Sequence, residues 1–189
     1  VRAAEKMLEA VLTRAEELRR NGYAFTHPVP SVLSRLLAGE ELASMEFVSL
    51  DDMDIWMALK RWRADDDAVL SRLSAGLLDR RLFKTIDMSD RDPVDFARMM
   101  DRANALAEQL GYNPDYAVLS DQARDTPYRP YDPDHAASSA HIPIIEPDGR
   151  VVPIEKHSDI VHLLGRDTYK ILRICIPDEL RERLLEGGA

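Results

Sequence analysis

Seven basic side chains crowd the stretch from Ala58 to Lys84: Lys60, Arg61, Arg63, Arg72, Arg80, Arg81 and Lys84. Asp65, Asp66, Asp67 and Asp79 are the only acids there, so the segment is net positive. Of 25 bases and 34 acids in the chain, 18 and 30 then lie elsewhere, and the whole carries −9. A basic island in an acidic chain is what a locally held anion needs. Arg offers a planar bidentate fork for phosphate or carboxylate oxygens, and Lys a compact point charge. The same charges also suit the solvated faces of two amphipathic helices. The acidic balance argues against nucleic-acid binding by the surface as a whole.

Other candidate chemistry is sparse. Asp132, Asp134 and His135, in Tyr131-Asp132-Pro133-Asp134-His135, are the one metal-like cluster, and the flanking prolines make it equally a loop. Tyr128 and Tyr131 could stack on a base, although packing against their own domain is the commoner fate of loop tyrosines. His157 and His162 are five apart and would not share a helix face. Cys175, between Ile174 and Ile176, reads as a small core residue, and a single cysteine cannot form an internal disulfide. The sequence holds no Gly-x-Ser-x-Gly elbow, no Walker loop and no dinucleotide-binding glycine fingerprint.

The elements that must position these residues are mostly helical at first. Arg2 to Arg20 predicts a helix with Met7, Leu8, Val11, Leu12, Ala15 and Leu18 on its apolar face, stopped at Gly22. Ser31 to Ala38 predicts a short helix ending at Gly39. Ser49, with Asp52 three residues on, predicts the capped start of a helix whose Ile55, Leu59 and Trp62 share a face. Asp65-Asp66-Asp67 suits the first turn of the next helix, whose buried stripe is Leu70, Leu73 and Leu77. A strand is expected from Leu82 to Ile86.

Past Ile86 the pattern becomes mixed. Asp92-Pro93 predicts a helix start and Gly111 its end. A strand is expected over Tyr116 to Leu119, then an irregular segment from Ser120 to Ala140. His141 to Ile145 and Val151 to Glu155 predict paired strands around a turn at Gly149, with Pro143 and Pro153 at a sheet edge. A helix over Lys156 to Leu164, a buried strand over Tyr169 to Ile176 and a last helix from Pro177 complete the chain. The fold class expected is α+β: a helical portion followed by a small ferredoxin-like subdomain.

Leu50-Asp51-Asp52, the Trp56…Trp62 helix and Arg80-Arg81-Leu82-Phe83-Lys84 together resemble HD-domain phosphohydrolases of the deoxynucleoside-triphosphate triphosphohydrolase (SAM-and-HD-domain-like) type. The likeness covers the region after that family's catalytic helices and continues more weakly through the C-terminal half. It implies that Arg80, Leu82 and Lys84 contribute to a site for nucleotide phosphates at a subunit contact. It further implies a homo-oligomer, a nucleotide effector and a divalent metal in the intact parent. One departure stands out: the family's metal ligands form a His…His-Asp…Asp set, and no His-Asp dipeptide occurs here. His27, His135, His141, His157 and His162 all lie in other contexts.

The expectation is therefore the C-terminal part of an HD-type enzyme, without its metal centre and inactive alone. Residues 1–82 would be the helical end of the HD-type domain, and 83–189 an oligomerisation or regulatory subdomain. Because the family packs its first portion onto the HD domain, an exposed apolar face is expected on the first helix. The alternatives are a stand-alone binding or scaffold module, or part of an HD enzyme acting on a non-nucleotide phosphate. With 45% hydrophobic and 31% charged residues, 189 residues suffice for a core. No apolar run reaches membrane-spanning length and no leader precedes the first helix, so a cytoplasmic location without membrane contact is expected.

Overall fold

The computed structural model describes residues 2–125, 142–166 and 169–186. Two compact units emerge, one of residues 1–121 with 173–189 and one of residues 122–172. The boundary expected at residue 82 falls inside the first unit. The reason is the C-terminal strand, which returns to pair with the strand that follows residue 83.

The first unit begins with α1 (Arg2–Arg20), followed by α2 (Ser31–Leu37), α3 (Ser44–Val48), α4 (Asp52–Trp62) and α5 (Ala68–Leu78). Helix α1 buries Met7, Ala10, Val11, Ala15 and Leu18, packing on α5 and α2. The apolar face expected to be exposed on α1 is thus covered from within the chain. Gly76, in the last turn of α5, lies tight against α1: a Cβ there would meet Met7 Cε at 2.9 Å. The first core gathers Val11, Leu33, Leu59, Trp62, Leu70 and Leu73, and Phe25 tilts against Trp62 at 5.7 Å between ring centroids.

Two helix starts differ from the sequence reading in instructive ways. Asp51, rather than Ser49, caps α4: its carboxylate accepts from Met53 N at 2.8 Å while Asp54 accepts from Asp51 N at 3.1 Å. Two acids can close a reciprocal box as Ser and Glu do, and Ser49 Oγ instead donates to the Glu46 carbonyl at the end of α3. The three acids at 65–67 precede α5 rather than filling its first turn. Asp67 caps the helix through Leu70 N and receives the Arg14 fork at 2.7 and 3.2 Å. Asp65 is buried and accepts from Tyr23 Oη at 2.6 Å and Thr26 N at 2.9 Å.

A second core lies C-terminal to this one. Strand β1 (Lys84–Asp87) leads to α6 (Pro93–Gln109), a turn of helix α7 (Pro114–Ala117) and strand β2 (Leu119–Asp125). Strand β5 (Tyr169–Ile176) and helix α10 (Asp178–Glu186) close the unit. Asp92 caps α6 through Val94 N, and Gly111 ends it at φ +74°. Tyr116 and Ala117, the first half of the strand expected over Tyr116 to Leu119, instead end a helical turn, because Asn113 caps it through Asp115 N with Pro114 at the first position. Strand β5 lies between β1 and β2, and pairs antiparallel with β1 so that Thr85 opposes Cys175. Ala103, Ala107, Ile174, Ile176, Leu180 and Leu184 fill this core. Cys175 is buried, and burial pushes its thiol pKa up.

Asp121, fully buried on β2, receives both forks of the Arg2 guanidinium, the Nε contact at 2.6 Å. Arg2 holds that carboxyl below its ordinary pKa range.

The second unit contains the hairpin β3 (Pro143–Ile145) and β4 (Val151–Pro153), then α8 (Ile154–His157) and α9 (Asp159–Arg166). Pro143 opposes Pro153, which a two-stranded sheet tolerates because both strands are edges. The single helix expected over 156–164 is broken at Ser158, whose backbone is extended at φ −130°. The fold class is α+β as expected. In place of one ferredoxin-like sheet, the described strands form a three-stranded sheet and a separate hairpin. Among the described residues, no helix is long and apolar enough to cross a membrane.

Candidate functional site

The turn from α5 into β1 is built by an unusual helix end. Asp79 is the C-cap, and Arg80 follows at φ +56°. Arg81 N donates to the Gly76 carbonyl at 2.8 Å and Arg80 N to Leu77 at 3.3 Å. These are the two hydrogen bonds of a Schellman ending, in which the left-handed position is ordinarily glycine. Among the described residues Arg80 is the one non-glycine residue with positive φ. A side chain there costs about 1 kcal/mol in backbone strain.

Arg80, Leu82 and Lys84 all line a cavity of about 520 Å³ within the first unit. The structure thus brings the three sequence-predicted residues to one concavity. The local geometry differs from the expectation, since the strand begins at Lys84 and Arg81 to Phe83 lie outside the ladder. Phe83 also lines the cavity, while packing against the first core. Arg81, left without a role by the sequence, borders the cavity too, and its guanidinium reaches Asp79 at 3.0 Å. Arg63 also forks onto Asp79, at 2.8 and 3.1 Å.

Arg72, counted in the basic island without being assigned to the site, also lines the cavity, and so do three residues that the sequence reading missed: Tyr112, Asp178 and Glu179. The Arg72 guanidinium sits 4.4 Å from the centroid of the Tyr112 ring, a cation–π stack. Tyr112 Oη donates to Glu179 at 3.3 Å, and burial followed by the Glu179 charge pushes its pKa up. Arg72 was legible, because Arg72, Gly76 and Arg80 recur at four-residue intervals. Tyr112, Asp178 and Glu179 carried no such signal: the latter two reach the cavity only because β5 pairs with β1.

The cavity therefore has two walls of opposite sign. Arg72, Arg80, Arg81 and Lys84 form the basic one, and Asp178 and Glu179, in the first turn of α10, the acidic one. Lys84 Nζ lies 3.7 Å from Asp178 Oδ2. The basic wall can hold phosphate or carboxylate oxygens, while the acidic wall accepts hydrogen bonds.

Asp132, Asp134, His135, Tyr128 and Tyr131 lie outside the described residues. Among the described residues, no three His, Cys, Asp or Glu side chains gather as a metal would require. His157 ends α8 and His162 lies within α9, so they belong to different helices.

Over 179 residues, 95% of its length, the chain is 28% identical to the uncharacterized protein YwfO of Bacillus subtilis and spans 40% of that protein. The crystal structure of a phosphohydrolase from Bacteroides thetaiotaomicron matches 92% of the chain with a TM-score of 0.71 and 29% identity. That match takes in 44% of the phosphohydrolase chain. A hypothetical protein from Aquifex aeolicus shares the fold alone, with a TM-score of 0.52 and 15% identity over 92% of this chain and 38% of its own. No family model matches the sequence. The chain accordingly has a phosphohydrolase-like fold and spans less than half the length of these relatives.

Proposed function

We propose that this chain is the C-terminal, regulatory portion of an HD-type phosphohydrolase acting on nucleotide phosphates, and that the cavity at the α5–β1 turn binds the phosphates of a nucleotide effector. Arg80, Leu82 and Lys84 are the residues assigned to that effector, with Arg72 joining them from α5. The observation that carries the reading is Arg80 itself: an arginine occupies a left-handed position suited to glycine, inside a basic-walled cavity. Strain retained at a concave site is a pointer to function.

The family resemblance places its His…His-Asp…Asp set ahead of the matching region, and no His-Asp dipeptide occurs in this sequence. Hydrolysis is accordingly assigned to the length that the matched relatives carry beyond the matched portion. In this division of labour residues 83–189 serve regulation, the protein works in the cytoplasm, and what this chain supplies is recognition.

Calorimetric titration of the chain with GTP, each dNTP and inorganic triphosphate tests the site. Binding by the wild type, lost in Arg80→Gly and weakened in Lys84→Ala, is the expected outcome. Arg80→Gly suits this purpose because it keeps the backbone turn. No binding by any of these anions would overturn the assignment. Metal-dependent hydrolysis of dGTP by the purified chain would overturn the division of labour.

A further inference from the structure

Arg72 stands in the basic wall of the cavity, yet among the described residues its partner is a ring and not a carboxylate: the guanidinium lies 4.4 Å from the Tyr112 centroid. Tyr112 is itself fixed on two sides. Its ring packs against the second core, and its hydroxyl donates to Glu179 at 3.3 Å. The face left towards the cavity is the one that Arg72 covers. A smaller cavity of about 30 Å³ adjoins the first and shares Arg72, Phe83 and Tyr112 with it. Its other walls are mainly apolar, Val69, Leu73 and Ala117 among them.

Two attractions compete for that guanidinium. A cation over an aromatic face at a partly exposed site is held more weakly than an arginine forked onto phosphate oxygens. A polyphosphate held by Arg80 and Lys84 would draw Arg72 off the ring, since all three border one cavity. Its departure bares an aromatic face beside an apolar recess. A planar group with a π-face fits there, and every nucleobase has one.

We infer that Tyr112 is the nucleobase platform of this cavity and that Arg72 is its exchangeable cover: the effector's base stacks on the ring while the displaced guanidinium turns to the phosphates. The inference rests on the phosphate reading of the cavity. It adds a second point of recognition, which a bare polyphosphate cannot use. Arg72 links the two halves of the ligand, because the ring is open only while phosphate holds its cover.

Calorimetric titration with GTP and with ribose 5-triphosphate, which carries the same phosphates and no base, separates the two recognitions. GTP should bind the wild type about tenfold more tightly, as one stacked base provides. Tyr112→Leu should abolish that advantage and leave the affinity for ribose 5-triphosphate unchanged, which also reports that the variant is folded. Tyr112→Phe keeps the ring and should keep the advantage. In the wild type, nuclear magnetic resonance should show the Arg72 Cδ protons shifted by the Tyr112 ring current, and saturation with GTP should remove that shift. Failure of both ligands to bind overturns the phosphate reading and the platform with it. Ribose 5-triphosphate binding as tightly as GTP, or a GTP advantage that survives Tyr112→Leu, overturns the platform and leaves the phosphate reading standing. An Arg72 shift that persists in the GTP-saturated wild type overturns the exchange.

Discussion

Lys84 Nζ and Asp178 Oδ2 stand 3.7 Å apart across the mouth of the cavity, so the cation assigned to an incoming phosphate already has an internal carboxylate beside it. Both side chains are about half exposed, and such a pair contributes little to folding. Its weight falls on binding. An anion approaching Lys84 must tolerate Asp178 within a few ångströms.

Replacing that carboxylate should therefore tighten the site. Asp178→Asn is expected to bind inorganic triphosphate about five- to tenfold more strongly than the wild type at low salt, with the advantage shrinking as salt is raised. Calorimetric titration at two ionic strengths reads both effects. Equal affinity in the two proteins would show that Asp178 does not face the ligand.

Arg80 gives a prediction about stability rather than binding. Arg80→Ala keeps a side chain in the left-handed position, whereas Arg80→Gly removes the strain. The glycine variant should be more stable than the alanine variant by about 1 kcal/mol. The midpoint of urea unfolding measures the difference. If the alanine variant proved the more stable, the Schellman ending at residues 76–81 would be wrong.

Stability towards acid should depend on Asp121. Its carboxyl is held below the ordinary range by the hydrogen bonds and charge of Arg2. Asp87 is held at about 2, first by Ser89 and then by Arg173. Both groups have folded values below their unfolded ones. Their contribution is therefore complete above roughly pH 4 to 5 and disappears as pH falls through the folded values. Melting temperature should drop steeply below about pH 4 in the wild type. Asp121→Asn should melt lower at neutral pH, by about 2 kcal/mol of lost stability, and should show a shallower acid decline. An acid limb unchanged in Asp121→Asn would remove this carboxylate from the explanation.

How far the sequence carried this picture depends on whether a signal was local. The helices over 2–20 and 93–109 were legible because periodicity, caps and glycine stops all lie within the segments themselves. The cap at Asp51 was missed because any of several polar residues before an apolar run can serve, and packing chooses among them. Arg80 and Lys84 were singled out through resemblance and charge crowding, and both border one cavity. Their opposite wall was not found, since Asp178 and Glu179 lie nearly a hundred residues away and meet them only through the pairing of Lys84 with Ile176. The exposed apolar face was expected on α1 and is observed on α3 and α4, at Phe47 and Trp56 among others. Amphipathicity shows that a helix has a greasy side, and only the packed structure shows which side has found cover.

The pairing of β1 with β5 has a consequence for biosynthesis. The first core is assembled from residues 10–73, so it can condense while the ribosome is still translating the middle of the chain. The second draws on Leu180 and Leu184 as well as Ala103, and must wait until residue 184 has been made. Until then β1 presents an unpaired edge, and the partly apolar side of α6 stays wet, a window in which a nascent chain is open to chaperones and to misassembly. A nonsense mutation before residue 173 would make that window permanent.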